Sequence, residues 1–371
     1  MKIVVIGAGI AGASIAAELA GSVSVDLVEM ESQPGYHTTG RSAALYAPSY
    51  GPQVVRVLTK ASLPFFSQLN PTFWLNQVLL PRGAMFIATK GQEASLQRLY
   101  ADMGPNPDVT LISREEALMR CSILREDYVS GAMLDVGAMD MDVSALHQGY
   151  LKRFKRANGS FWPNARVEQI QRKGNGWLVS TATQEFFADV VVNAAGAWAS
   201  HIGKLVGASP IPLTPKRRTA MTIDSPSGTD SQSFPAVIDC EEDFYLRPDA
   251  GRLLISPADE TPSVACDAQP EEVDVALTVE RIQAAFELKV SKIRSKWAGL
   301  RTFAADKQPV CGFDDRVDGF FWFAGQGGYG IQMAPALAQV GSALIREGAI
   351  PSAILDMGFN PNQVSPNRFA A

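Results

Sequence analysis

Lys2-Ile3-Val4-Val5-Ile6-Gly7-Ala8-Gly9-Ile10-Ala11-Gly12 opens the chain, and its reading decides the fold. Four consecutive apolar residues, Ile3 to Ile6, suit a strand buried on both faces of a parallel sheet, and a glycine turn follows at once. The spacing of Ile10, Ile15, Ala16 and Leu19 predicts a helix over 10–20. Val23 to Val28 reads as a second strand that delivers Glu29 at its carboxyl end. In this pattern Gly7 permits the tight turn, Gly9 lets the backbone approach a pyrophosphate, and Gly12 lets helix and strand pack closely. The helix amino terminus then offers free N–H groups and a positive partial charge to the phosphates. Glu29 is placed to accept from ribose hydroxyls. An acid there argues against a 2′-phosphate and so against NADP, while NAD and FAD both remain open.

The chain has 371 residues, enough for about two domains with substantial cores. Its 33 basic and 38 acidic residues give a net charge of −5, which points to neither nucleic acid nor an anionic membrane as partner. Cys121, Cys240, Cys266 and Cys311 are scattered, and His37, His147 and His201 do not cluster with them, so neither a disulfide framework nor a metal site is indicated. Glycines interrupt the apolar amino-terminal stretch, which argues against a secretory leader, and no segment approaches the ~18 apolar residues of a membrane span. The expectation is a cytoplasmic protein without a transmembrane segment, one that could still meet an electron acceptor at the inner membrane surface.

After Glu29, a turn-rich loop leads to Gly40-Arg41-Ser42-Ala43-Ala44, where Ser42 is expected to cap a short helix aimed at a second anionic group. Helices are predicted over 53–69 and 91–100, flanking a strand at Ala84 to Ala88, with turn and helix signals over 108–119. Asp142 should cap a long helix whose Val143, Leu146, Tyr150 and Phe154 share one face and which Asn158-Gly159 ends. Lys152, Arg153, Lys155 and Arg156 then form a solvated face that complements the helix dipole. Strands are predicted over 166–171, 177–182 and 186–192. The last runs into the small residues Asn193-Ala194-Ala195-Gly196-Ala197-Trp198, which bring backbone near a ligand. An antiparallel pattern with one helix over 269–287 fills 210–297. A final strand at 320–324 meets Gly325-Gln326-Gly327-Gly328-Tyr329-Gly330-Ile331-Gln332 and a helix over 333–347. Two strand–glycine–helix arrangements, one near each end of the chain, suit a long ligand held at both ends, and FAD better than NAD, because a flavin ring must be fixed rigidly.

These segments, taken with Val192-Asn193-Ala194-Ala195-Gly196, Pro215-Lys216-Arg217-Arg218, Phe244-Tyr245-Leu246 and Trp297-Ala298-Gly299-Leu300-Arg301, resemble in order the D-amino acid oxidase superfamily of FAD-dependent amine oxidoreductases, which includes the glycine and sarcosine oxidases. Within it they are most similar to the bacterial D-arginine dehydrogenases. The resemblance implies an α/β fold: a discontinuous Rossmann-like FAD-binding domain of the glutathione reductase type (1–47, 140–209, 298–371) and an α+β substrate domain on a mixed or antiparallel sheet (48–139, 210–297). It implies that non-covalent FAD is held by Gly7, Gly9, Ile10, Ala11, Gly12, Glu29 and Met30, by Arg41, Ser42, Ala43 and Ala44, and by Val167, Ala195 and Gly196. Arg301, Gly328, Tyr329, Gly330, Ile331 and Gln332 would hold its other end. Arg218, Tyr245 and Arg301 would clamp a substrate carboxylate, Tyr50 would sit lid-side, and the Gly328 carbonyl would receive the amine. An arginine fork suits a planar carboxylate bidentately.

Three positions depart from the D-arginine dehydrogenase pattern: Ala84 stands where a glutamate would receive a guanidinium, Leu45 replaces a histidine and Ala47 a threonine. A cationic side chain would lose its partner on desolvation, so an apolar pocket for a medium-sized neutral amino acid is expected, and D-arginine should be a poor substrate. The implied reaction is oxidative deamination by hydride transfer to the flavin. An N-methyl amino acid, glycine or a 2-hydroxy acid on the same scaffold, an NAD-dependent dehydrogenase and a non-catalytic flavin-binding protein are the alternatives. Stereochemistry, oligomeric state and the electron acceptor, whether oxygen, a quinone or a dye, are left open. Thr302 and Phe303 stand where relatives that oxidise sarcosine carry a flavin-linking cysteine, and Cys311 reads as core.

Overall fold

The computed structural model describes residues 1–369. Its first layer is a six-stranded sheet in the order Val310–Phe313, Phe320–Ala324, Val190–Asn193, Lys2–Ile6, Ser24–Val28, Ser160–Trp162. All neighbours are parallel except Val310–Phe313, which runs antiparallel to Phe320–Ala324. Strand Lys2–Ile6 lies between two parallel partners, which explains its unbroken apolar run. Helix Ile10–Leu19 covers one face with helices Val143–Arg156 and Gly330–Ile345, and Ile15, Leu19, Tyr150, Phe321, Phe323 and Leu337 meet in the core between them. Gly7 has φ +99, and a Cβ on Gly12 would lie 1.7 Å from the Gly7 carbonyl oxygen, so the close approach of helix to strand is open to glycine alone. Asp142 caps its helix as expected, its Oδ1 accepting from the Ala145 N–H at 2.8 Å.

The second layer is a nine-stranded mixed sheet. The long strands Leu213–Asp224 and Ile293–Ala304 pair antiparallel along nearly their whole length. The sheet continues through Arg252–Ser256, Tyr245–Asp249, Ala236–Asp239, Ala84–Ala88 and Gly131–Asp135 to Val109–Ile112, with Ala236–Asp239 and Ala84–Ala88 parallel. One face packs on helices Arg114–Arg120 and Glu272–Ala285 through Met85, Ile87, Leu246 and Ile255. The other faces the first layer. Strand Ile293–Ala304 runs through residue 298, where the sequence places a domain border, and carries Arg301 from this sheet to the interval between the layers.

Three local expectations are corrected. The strand predicted over 186–192 is two strands, Glu185–Ala188 in an antiparallel three-stranded sheet and Val190–Asn193 in the parallel one. Asp189 makes the corner: its N–H donates to Lys2 O at 2.8 Å and its carboxylate accepts from the Lys2 N–H at 2.7 Å. Ser42 caps no helix, because residues 42–44 are irregular and the preceding Arg41 carbonyl accepts from Trp297 Nε1 at 2.9 Å. The last helix starts at Gly330, before Met333, and contains Pro335; the Ala336 N–H donates to Ser62 Oγ at 3.1 Å.

Candidate active site

A single long cavity runs between the two sheets from the first glycine turn to the last. At one end it is lined by Gly7, Gly9, Ile10, Ala11, Glu29 and Met30. Ile10 N–H donates to Thr39 Oγ1 at 2.9 Å, and His147 Nε2 donates to Ala8 O at 2.9 Å, so the turn is braced from both sides. Glu29 accepts from Ala8 N–H at 2.7 Å and Glu31 N–H at 3.0 Å. Burial pushes its carboxyl up in pKa and these two donors oppose the shift. Arg41, Ser42, Ala43 and Ala44 line the middle together with Val167, Ala195 and Gly196. Arg41 is tied down by the carbonyls of Ala268 (2.9 Å) and Ala298 (3.0 Å) and by Asp267.

At the other end lie Gly328, Gly330, Ile331 and Gln332. Gln332 Oε1 accepts from the Ala47 N–H at 2.9 Å, while the Nε2 atoms of Gln332 and Gln326 are buried without a partner although both residues line the cavity. Buried orphan donors beside a cavity call for acceptors on a ligand, and the carbonyl-bearing ring of a flavin supplies them. A cavity that reaches from a Rossmann glycine turn to these carboxamides fits FAD along its length.

Beside that end stand Arg218, Tyr245, Arg301 and Tyr50, which the fold brings together in one wall. Arg218 Nε donates to Asp259 O at 2.9 Å, and its guanidinium lies 6.0 Å from the Tyr245 ring centroid. Behind the wall, outside the lining, Glu260 accepts from Arg301 Nη2 at 3.0 Å and Lys216 Nζ at 2.9 Å, with Lys307 at 3.6 Å and Arg218 Nη2 at 3.7 Å. Burial alone would raise its pKa, yet Lys216, Arg301 and Lys307 together hold it below the ordinary carboxylate value. Tyr50 Oη donates to Glu242 Oε2 at 3.1 Å and its ring packs edge-on to Tyr329 at 5.2 Å. Burial, then Glu242, pushes the phenol up to about 12, so it stays protonated at neutral pH.

Three of the residues named from the sequence lie outside the lining. Gly12 packs against Gly7, and Tyr329 is buried against Tyr50 and Phe303. Ala84 is fully buried; Phe86, two residues on and on the same strand face, reaches the cavity instead. Nor is the pocket purely apolar. Leu45, Ala47, Phe86, Ala236 and Ile238 line it, but so do Glu242 and Arg247. The signal for Arg247 was present: strand alternation puts it on the face of Tyr245. None of the four cysteines lines this cavity, and Cys311 lies in the core. Among the described residues, no cluster of His, Cys, Asp or Glu could hold a metal, and no helix is long and apolar enough to cross a membrane.

A profile of the family DAO, FAD dependent oxidoreductase, matches residues 2–344. Glycine oxidase of Geobacillus kaustophilus (strain HTA426) is 24% identical over 343 residues, 90% of this chain and 89% of that protein. The crystal structure of glycine oxidase from Geobacillus kaustophilus superposes with a TM-score of 0.85 at 22% identity, covering 100% of both chains. FAD-dependent oxidoreductase domain-containing protein 1 of Xenopus laevis is 28% identical over 188 residues, 46% of this chain. That match spans only 37% of the longer relative, little more than a third of its length.

Proposed function

The chain belongs to the family of FAD-dependent oxidoreductases, and on that premise we propose that it oxidises the Cα–N bond of a medium-sized neutral amino acid to the imino acid, which water converts to the 2-oxo acid with release of ammonia. The observation that carries this reading is the placement of two guanidinium groups, Arg218 and Arg301, with Tyr245 in one wall of the cavity beside the orphaned carboxamides. When bound, FAD supplies the two-electron acceptor for the hydride from Cα. Arg218 and Arg301 bind the substrate carboxylate, Tyr245 packs beside them, and Tyr50, latched to Glu242, screens the site from water. The Gly328 carbonyl is suited to accept from the substrate amine, which fixes the direction of Cα–H. Glu242 is the one carboxylate in the lining at this end and already accepts from Tyr50. The amine therefore loses its proton to solvent, and kcat/KM rises with pH through one ionisation. Leu45, Ala47, Phe86 and Ile238 offer a cationic side chain no acceptor, Glu242 is engaged by Tyr50, and Arg247 adds a like charge, in keeping with neutral substrates. The D configuration follows from the resemblance of the sequence motifs. The similarity to glycine oxidase supports a second reading, glycine or an N-methyl amino acid held by the same clamp.

Anaerobic titration of the FAD-loaded protein with D-, L- and N-methyl amino acids tests both. Neutral D-amino acids should bleach the flavin and D-arginine should be poor. D-arginine ranking first would overturn the pocket assignment, and reduction by none of the panel would overturn the reaction. Arg301→Met should lose ~2–4 kcal/mol in kcat/KM; an unchanged value removes the clamp.

A further inference from the structure

One charged side chain in the cavity wall is used by neither the flavin end nor the carboxylate clamp. Arg247 lies on strand Tyr245–Asp249, two residues past Tyr245 and so on the same face, about 6.8 Å further along. It lines the cavity. The register Val237↔Leu246 places Ala236 opposite Arg247, and Ala236 in turn pairs with Ala84, so its sheet neighbours on that side are methyl-sized. Two carboxylates fix the guanidinium: Nη1 donates to Asp140 Oδ1 at 3.0 Å and Nη2 to Asp249 Oδ1 at 3.3 Å. Asp140 is shared with Arg82, whose Nε donates to Oδ2 at 2.7 Å, so two guanidinium groups and two carboxylates balance.

A guanidinium carries five N–H donors. These bonds use two of them, and Nε is buried without a partner. Arg247 is thus held rigid, compensated in charge and left with donors to spare. A substrate carboxylate there would meet Asp140, Asp249 and the lining Glu242, whereas an uncharged acceptor oxygen meets only the donors.

Resting on the amino-acid reading above, we infer that Arg247 is a specificity-determining residue that donates a hydrogen bond to a carbonyl oxygen at the end of the substrate side chain. The preferred substrates are then amino acids with a carboxamide side chain of glutamine length, over hydrocarbon or thioether side chains of similar size. The distance from Tyr245 to Arg247 along the strand is one that such a side chain spans once its α-carboxylate is clamped.

The test compares the FAD-loaded wild type with Arg247→Met on glutamine, glutamate and methionine of the reactive configuration, by anaerobic flavin reduction and steady-state kinetics. Wild type should prefer glutamine. Arg247→Met should lose roughly tenfold or more in kcat/KM on glutamine, mostly through KM, and stay within about twofold on methionine. Folding should survive the change, because Asp140 keeps Arg82 and the side chain of Asp249 is 38% exposed to water. Arg247→Lys, which retains a donor, should recover part of the glutamine preference, and retained flavin content reports folding. Equal losses on glutamine and methionine, or no loss on either, overturn the assignment, and glutamate outrunning glutamine overturns the uncharged acceptor. If amino acids reduce the flavin without this selectivity, only this inference falls; if none does, the proposed reaction falls and takes it along.

Discussion

At the scale of single residues, the proposed clamp poses an electrostatic problem that its own side chains do not solve. Arg218, Arg301, Lys216 and Lys307 converge, and Glu260 is the shared counter-charge. Its neighbour Asp259 orients the pair from the same segment, accepting Arg218 Nε through its carbonyl. Glu260→Gln keeps an acceptor for Arg301 but removes the charge, and a stability loss of roughly 1–3 kcal/mol is expected by urea unfolding. The loss should shrink at high salt, which screens the four cations from one another. The sign with pH follows from the depressed pKa. The glutamate contributes stability that is complete above its unfolded value near 4.5 and is lost as pH falls through the lower folded value. Wild type and variant should therefore converge in acid; a difference that persists there would show that packing, not charge, is at stake. Arg218, Tyr245 and Arg301 were legible in the sequence through segments that resemble known ones. Glu260 was not, since nothing local to Asp259-Glu260 reveals that the fold brings Arg301, 41 residues further on, to it.

At the scale of elements, the opening strand–turn–helix was readable because each of its residues answers a local steric demand. Gly12 shows how strict that demand is, with the Gly7 carbonyl oxygen 1.7 Å from where a Cβ would be. Backbone cannot yield there as a flexible side chain could, so Gly12→Ala should push helix Ile10–Leu19 off its strand, cost about 3 kcal/mol or more, and give protein that purifies without yellow colour. A yellow, wild-type-like Gly12→Ala protein would mean that the turn tolerates a Cβ at this position. What local reading missed was set by tertiary partners. A continuous apolar run concealed the corner at Asp189, which exists because its N–H donates to the Lys2 carbonyl and its carboxylate accepts from the Lys2 N–H. The helix expected after Ser42 gives way to irregular chain, and Trp297 from a distant strand bonds the carbonyl before it. Arg247 was a different failure: the alternation that faces Tyr245 to the cavity also faces Arg247 there, whereas the expectation of an apolar pocket rests on Leu45, Ala47 and Ala84 alone.

At the scale of the whole molecule, the cavity draws its walls from residues 6–50 at the beginning of the chain, from Phe86, from 165–258 in the middle and from 299–332 towards the end. A ligand that fills it ties these parts together, and binding to the folded state alone raises stability by about 2.7 kcal/mol at a hundredfold excess over Kd. In a chain of this size, FAD added to the flavin-free protein should raise Tm by several degrees, roughly 3–8 °C. The two-ended grip predicts more than the size of the shift. On the proposed binding mode ADP would meet only the glycine turn and Glu29 and should give a smaller shift, whereas FAD would also reach the buried carboxamides at the far end. Gln326→Ala removes one orphan donor there and should reduce the FAD shift while leaving the ADP shift unchanged. Calorimetry on the flavin-free protein and this variant, with each ligand in turn, decides the matter without any catalytic readout. Equal shifts from FAD, NAD and ADP in both proteins would confine recognition to the first turn, and the carboxamides would then need another partner.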